Sequence, residues 1–224
     1  MSLIPRQSLG RQAPLKIGVL AVVSASLLAS VGVSAQGRPP APSVGDRVMM
    51  DAMRSMGPVT VKTRPTNDVD RDFMTMMIPH HEAGIAMSQA QVRFGKHAEL
   101  RKLASEDVTD QKKDNASMRQ YLRGWKTAAK AGGPRSPSAA MLEDMREMDR
   151  ATSGMKMTGN QDRDFIEMMI PHHEAAITMS RTEMRSGRDA RVRKVAKGIF
   201  DAQSKDVREM KGWYKAWYGR AYAA

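Results

Sequence analysis

Apolar side chains recur every three or four residues along most of the chain from Met49 onwards, as expected for helices with one buried face. The first element is a short helix with a stripe of methionines at Met49, Met53 and Met56. Two longer helices follow, over about 70–93 and 98–125. No alternating pattern typical of strands competes with them. The pattern therefore predicts an all-α fold.

The helical pattern occurs twice. Residues about 49–125 align without a gap on residues about 141–217, at a constant offset of 92. Within this alignment, 15 of 19 positions are identical between 70–88 and 162–180. Duplication of one helical unit explains such an offset. Since each unit supplies two long helices, we expect one antiparallel four-helix bundle with pseudo-twofold symmetry, in which the short helices are caps or linkers.

Residues 1–35 have the three parts of a secretory signal peptide: a basic start, an apolar run over 17–33 and a cleavage site of small residues. We therefore expect a periplasmic or secreted protein with no membrane span once the signal is removed. An uncleaved membrane anchor is the alternative, because a run of 17 residues is near the lower limit for crossing a bilayer. Residues 36–45 are predicted to be a flexible lead-in rich in proline and glycine, and residues 46–224 a single bundle domain.

Composition narrows the classes of partner. The net charge of +12, or +9 without the signal peptide, permits attraction to nucleic acid. However, cations are scattered among acids along the helices and aromatic residues are only 5% of the chain, so we expect a solvated basic surface and no nucleic-acid site. The chain has no cysteine and 20 methionines. A thioether fills cores and also binds soft metal ions, so composition alone leaves both roles open.

A histidine pair follows a proline inside the second helix of each unit, in the strings MMIPHHEAGIAMS (76–88) and MMIPHHEAAITMS (168–180). Such a proline removes a backbone hydrogen bond and costs about 3 kcal/mol in an ordinary helix. At 100° per residue, His80 and His81 lie on the arc that faces the core, where a bundle usually buries leucine. Both units thus combine a helix-breaking proline with histidines at core positions, against ordinary helix and core preferences. This combination indicates a functional site.

Methionine lies within reach of these histidines. Met77 is three residues before His80 and four before His81, so its thioether can share one ion with either imidazole. The two imidazoles diverge by about 100°, so one of them is expected to serve a second ion, a facing helix or a supporting hydrogen bond. Met87 needs a different ion or a ligand from another helix. Thioether and imidazole without thiolate favour Cu(I), or the similarly soft Ag(I), over zinc, iron or magnesium.

Other interpretations stay open. A di-iron site is disfavoured, because four-helix bundles build it with Glu-x-x-His motifs and the chain contains none. Methionine stripes away from the histidines are expected to pack in the core. Met155 and Met157, before the second motif, either hand over copper or cover the bundle end. No nucleophile, acid–base pair or cofactor motif is visible, so we expect no catalysis; a metal-dependent oxidoreductase and a metal-free interaction bundle are the alternatives.

The repeated string Phe-x-x-x-Met-Ile-Pro-His-His-x-x-(Gly/Ala)-Ile-x-Met resembles the bacterial domain-of-unknown-function family 305. Helical members of that family contain the motif twice, and some are exported copper-binding proteins. The resemblance implies a ferritin-like four-helix bundle with short extra helices. It also implies eight metal ligands: Met77, His80, His81, Met87, Met169, His172, His173 and Met179. The chain departs from the family at Gly84, where alanine is usual, and at Asp114 and Asp206, where glutamate is usual.

Taken together, these features predict an exported protein that holds Cu(I), and also Ag(I), for metal buffering, tolerance or transfer. Its expected partners are the metal ion and another copper-handling protein.

Overall fold

The computed structural model describes residues 42–126 and 132–223, and the predicted signal peptide over residues 1–35 lies outside them. The described secondary structure consists of seven helices. They are α1 (Val44–Arg54), α2 (Met56–Lys62), α3 (Val69–Phe94), α4 (Ala98–Arg123), α5 (Pro137–Ser153), α6 (Gln161–Ser186) and α7 (Ala190–Tyr218). None of these helices is long and apolar enough to cross a membrane. The prediction of an all-α fold is confirmed.

The two histidine-bearing helices, α3 and α6, begin and end in the same way. Asp68 accepts a hydrogen bond from the backbone N–H of Arg71 at the start of α3, and Asn160 accepts one from Arg163 at the start of α6. Short polar side chains at these positions satisfy N–H groups that have no partner within the helix. Acidic residues in both first turns complement the helix dipole, and a glycine follows both helices. Local sequence therefore sets these boundaries.

The short helix of the second unit is one piece, α5, whereas its counterpart in the first unit is divided into α1 and α2. Pro58 accounts for the division, because its ring clashes with the carbonyl of Arg54, the last residue of α1. The corresponding residue in α5 is Arg150, which a helix accommodates. The prediction of one short helix per unit is therefore wrong for the first unit. In addition, α1 begins at Val44, so its first turn includes the end of the segment predicted as a flexible lead-in.

The four long helices form the bundle. Helix α3 packs along α4, and α6 along α7, as two hairpins. The hairpins meet through contacts of α3 with α6 and of α4 with α7, while α1 lies against α3 and α5 against α6. The predicted four-helix bundle with short extra helices is confirmed. Pro79 and Pro171 lie inside α3 and α6 without ending either helix.

Methionine and phenylalanine fill the core between these helices. Phe73 and Phe165, from corresponding positions of α3 and α6, are fully buried. Six methionines expected to pack in the core are buried there: Met49, Met53, Met118, Met141, Met145 and Met210. Flexible thioethers fill the irregular spaces left where helices cross. Packing thus accounts for these six methionines without a metal.

Candidate metal centre

His80 and His172 meet at the contact between α3 and α6. Both side chains are fully buried, and their rings stack with 3.7 Å between centroids and 24° between planes. Nε2 of His80 lies 3.0 Å from the backbone carbonyl oxygen of His172, and Nε2 of His172 lies 3.0 Å from that of His80. Two motifs that are 92 residues apart in sequence therefore form one centre in the bundle.

These reciprocal hydrogen bonds determine which ring nitrogen is available. A carbonyl oxygen can only accept, so Nε2 of each ring carries the hydrogen and Nδ1 has the free lone pair. Both Nδ1 atoms are buried without a hydrogen-bond partner among the described residues. Buried polar atoms are rarely left in this state. An unpartnered imidazole lone pair in the core fits the donor that a metal ion requires.

Burial also keeps the four motif histidines neutral. It lowers the pKa of His81, His172 and His173 to about 3, and the pKa of His80 to well below its ordinary value. For His80, the three neighbouring imidazoles act in the same direction as burial. Neutral imidazole is the form that ligates metal, so no proton has to leave before an ion binds near neutral pH.

A glycine lets the two histidine helices approach each other. A Cβ atom at Gly84 would lie 2.8 Å from Cε1 of His172 and 2.5 Å from Oε1 of Gln111. Both separations are shorter than van der Waals contact. A larger residue at this position therefore requires the side chains of Gln111 and His172 to shift. The corresponding Ala176 is fully buried, so the two sides of the centre are packed differently.

His81 and His173 lie outside the stacked pair. The ring centroids of His80 and His81 are 6.2 Å apart, and those of His172 and His173 are 5.9 Å apart. Such separations agree with the divergence expected of adjacent residues on a helix. Nε2 of His81 lies 3.5 Å from the side-chain amide nitrogen of Gln203. The structure thus brings together one histidine from each motif and directs the other to a separate environment.

His173 faces two carboxylates. Its Nε2 lies 3.7 Å from Oδ1 of Asp107 and 3.8 Å from Oδ2 of Asp206, which is too far for hydrogen bonds. Burial raises the pKa of Asp107 to about 6 and that of Asp206 to about 7, with the charge of Asp107 adding to the second shift. Sequence reasoning noted Asp206 only as a departure in side-chain length and missed Asp107. The available signal was helical spacing, since Asp107 continues the apolar stripe of Leu100 and Leu103.

The four candidate thioethers lie on the same two helices as the histidines. Met77 and Met87 on α3, and Met169 and Met179 on α6, are all fully buried. All eight ligands implied by the family resemblance are therefore in the core. Their assignment as metal ligands stays a prediction.

The Met-x-Met pair before the second motif is divided between two roles. Met157 is buried and belongs to the core. Met155 is half-buried beside a cavity of about 370 Å³, which Pro171 and Tyr214 also line. Packing at the bundle end thus explains Met157, whereas Met155 keeps an accessible side.

Comparison with known proteins identifies the family. The family model of the domain of unknown function DUF305 matches residues 25–122 and 70–214. The chain belongs to this family. The resemblance carried by the repeated motif is therefore confirmed. No curated protein sequence matches the chain.

Solved structures share its fold. CopM in the apo form is 30% identical, with a TM-score of 0.52, and the match covers 67% of this chain and 98% of that chain. CopM in the Cu(I)-bound form matches at 30% identity and a TM-score of 0.51, over 67% and 98% of the two chains. CopM in the Ag-bound form obtained by soaking matches at 29% and 0.52, over 67% and 97%. A DUF305 fragment from Deinococcus radiodurans, 22% identical over 68% of this chain and 99% of that chain, has a TM-score of 0.50 and supports the fold alone.

Proposed function

We propose that this protein binds Cu(I), and also Ag(I), in the bundle centre and buffers or transfers copper outside the cytoplasm. The observation that carries this proposal is the pair of buried, neutral imidazoles, His80 and His172, whose Nδ1 atoms have no partner among the described residues. Four fully buried methionines on the same two helices supply thioethers. Imidazole with thioether is a donor set suited to soft monovalent ions.

CopM supports the choice of metal, because structures of that protein were solved with Cu(I) and with Ag bound. The identity to this chain is 30% for the Cu(I)-bound form and 29% for the Ag-bound form. The lack of cysteine also fits copper handling outside the cytoplasm. A ligand set without thiols cannot be lost to disulfide formation in an oxidising compartment. Oxidation of the methionines to sulfoxide would weaken the site.

The closed geometry favours holding a metal over catalysis. All eight proposed ligands are fully buried, so an ion enters only when the helices open locally. A catalytic metal keeps an open coordination position that a substrate can reach. We therefore propose buffering or transfer without turnover, with another copper-handling protein as donor or acceptor.

Competition against a chromophoric chelator, under reductant, tests this function. The purified protein should withdraw Cu(I) from a chelator of moderate affinity. Met77→Leu and Met169→Leu preserve side-chain volume but remove a thioether, so each should lower the Cu(I) affinity about tenfold or more. Met118→Leu and Met210→Leu, at two core positions assigned to packing, are matched controls that should leave the affinity unchanged.

Absence of Cu(I) binding, or equal losses in the packing controls, would contradict the proposal. The motif histidines would then be structural core residues, and association of the basic surface with a protein partner would be the function to pursue. Copper-dependent turnover of a phenol would favour an oxidoreductase instead.

A further inference from the structure

An acidic groove of about 450 Å³ lies between α4 and α7. Four carboxylates line it, from Glu106, Asp107, Asp110 and Asp206, together with one lysine, Lys205. The groove is acidic although the chain as a whole carries a net charge of +12. Negative charge concentrated in a concave surface attracts cations.

Two of the carboxylates that line the groove, those of Asp107 and Asp206, lie close to the buried imidazole of His173. Asp107, His173 and Asp206 each offer one ligand atom, and the three atoms lie within 4.8 Å of one another. The distances from Nε2 of His173 to the two carboxylate oxygens are 3.7 and 3.8 Å. Ligands that surround a tetrahedral ion at about 2.0–2.2 Å are about 3.3–3.6 Å apart. Each of these two separations therefore needs to shorten by only a few tenths of an ångström for the imidazole and that carboxylate to share one ion.

His173 makes no competing contact. Its side chain is fully buried, and neither ring nitrogen has a hydrogen-bond partner among the described residues. The other three motif histidines each place Nε2 against a backbone carbonyl or a side-chain amide. A buried imidazole directed at two carboxylates that it does not reach is an incomplete metal site.

Two hydrogen bonds hold the carboxylate of Asp107 in position. The hydroxyl of Ser88 donates to Oδ2 of Asp107 at 2.8 Å, and the amide of Gln111 donates to Oδ1 at 2.7 Å. Supporting hydrogen bonds of this kind orient metal ligands. Asp206 pairs loosely with Lys205, at 3.8 Å, and the lysine side chain is 55% exposed. A cation arriving through the groove can therefore replace the lysine.

We propose that Asp107, His173 and Asp206 bind a divalent transition-metal ion, Zn²⁺ or Cu²⁺, that enters through the groove. Two carboxylates and one imidazole suit a divalent ion of this class, whereas Cu(I) prefers the thioethers of the core. This site goes beyond the Cu(I) centre proposed above and shares only His173 with it. Because Asp206 lines the groove and its side chain is 15% exposed, we expect an ion here to exchange faster than an ion in the closed centre.

The first half of the chain lacks an equivalent site. The corresponding positions, 92 residues away, hold His81, Asp114 and Ile199. An isoleucine in place of Asp107 removes one of the three ligands. Within residues 42–126 and 132–223, the group around His173 is the one cluster of three such ligands. The chain thus supplies its own control, because Asp114 corresponds to Asp206 but has no third ligand beside it.

Calorimetric titration of the purified protein with Zn²⁺ tests the assignment. The wild-type protein should bind Zn²⁺ at this site. Asp206→Asn should weaken that binding about a hundredfold, because it replaces an anionic ligand by a neutral amide. Asp114→Asn, the matched control in the other half, should stay within about twofold of wild type. Urea unfolding of both variants establishes that each one folds.

Cu(I) competition on the same variants separates the two proposals. Asp206→Asn should keep its Cu(I) affinity, because it removes no thioether. Failure of the wild-type protein to bind Zn²⁺, or equal losses in Asp206→Asn and Asp114→Asn, would overturn the divalent site and leave the Cu(I) centre standing. Zn²⁺ binding that depends on Asp206, in a protein that takes up no Cu(I), would retain the divalent site and overturn the copper function.

Discussion

The two halves of the bundle share the histidine motif but not its surroundings. His80 and His172 are equivalent, since they stack on each other and form the same hydrogen bond at the same distance of 3.0 Å. His81 and His173 are not equivalent, because the first faces the amide of Gln203 and the second faces two carboxylates. Symmetry is kept where α3 and α6 touch each other. It is lost where the side chains of α4 and α7 differ, so the same motif is directed to different chemistry.

The ends of the bundle differ in a similar way. The amide of Gln91 donates to Asp162 at 2.6 Å. The corresponding residue of the other half, Glu183, is a second carboxyl group beside Asp70. Burial, and then the Asp70 carboxylate, raise the pKa of Glu183 to about 9, so that its neutral form can donate to Asp70. The contact of Gln91 with Asp162 therefore has an amide as its donor, whereas the contact of Glu183 with Asp70 requires a protonated carboxyl group.

Removing either ring of the stacked pair His80 and His172 should have the largest effect on stability. His80→Ala and His172→Ala each remove one ring of the stack and leave the opposite carbonyl without its ring donor. Each should lower the free energy of unfolding by about 3 kcal/mol. Because the contacts are reciprocal, the two losses should agree within about 0.5 kcal/mol, measured by urea unfolding of the metal-free protein. Clearly unequal losses would show that the different packing beside the two rings, at Gly84 and Ala176, outweighs their reciprocal contacts.

The contact of Glu183 with Asp70, which requires a proton, should have the second-largest effect on stability. Glu183 holds its proton more tightly in the folded protein, so the free energy of unfolding should fall as pH rises from about 4.5 to about 9. The slope contributed by one such group reaches about 1.4 kcal/mol per pH unit. Arg193 opposes the pKa shift and Asp68 adds to it. Glu183→Gln should remove this slope and raise the thermal unfolding midpoint at pH 8, because glutamine donates with no proton to lose.

Gln91→Glu is the matched variant at the other end of the bundle. It should create a carboxyl pair with Asp162 and add a similar decline of stability with rising pH. Thermal unfolding at pH 6 and pH 8 compares both variants with the wild type. If Glu183→Gln left the pH dependence as it is in the wild type, Glu183 would not be the group that binds the proton.

The smallest effect should come from exchanging the small residues beside the stacked rings. Gly84→Ala gains helix propensity but places a Cβ atom against His172 and Gln111, for a net loss of about 1 kcal/mol. Ala176→Gly should lose about 1 kcal/mol through helix propensity alone. Neither half should therefore accept the residue of the other. If urea unfolding showed that Gly84→Ala is more stable than the wild type, the side chains of Gln111 and His172 would have moved to make room for the methyl group.

Much of the fold could be read from the sequence. The helix predicted over about 70–93 spans Val69–Phe94, and the helix predicted from about residue 98 begins at Ala98. Capping residues and terminal glycines act within a few positions, which is why these boundaries were accessible. The division between α1 and α2 was missed because the methionine stripe continues past Ser55 to Met56, although Pro58 itself was visible.

The sequence by itself determined that this chain is all-α, that it contains the same unit twice, and that soft donors occupy positions facing the core. Periodicity, caps and donor type are properties of neighbouring residues. Only the tertiary structure decided that His80 stacks on His172, that Nδ1 is the nitrogen left free, and that Asp107 approaches His173. Helical spacing determines the direction of a side chain on its own helix, but the rotation and separation of neighbouring helices depend on how their entire faces pack.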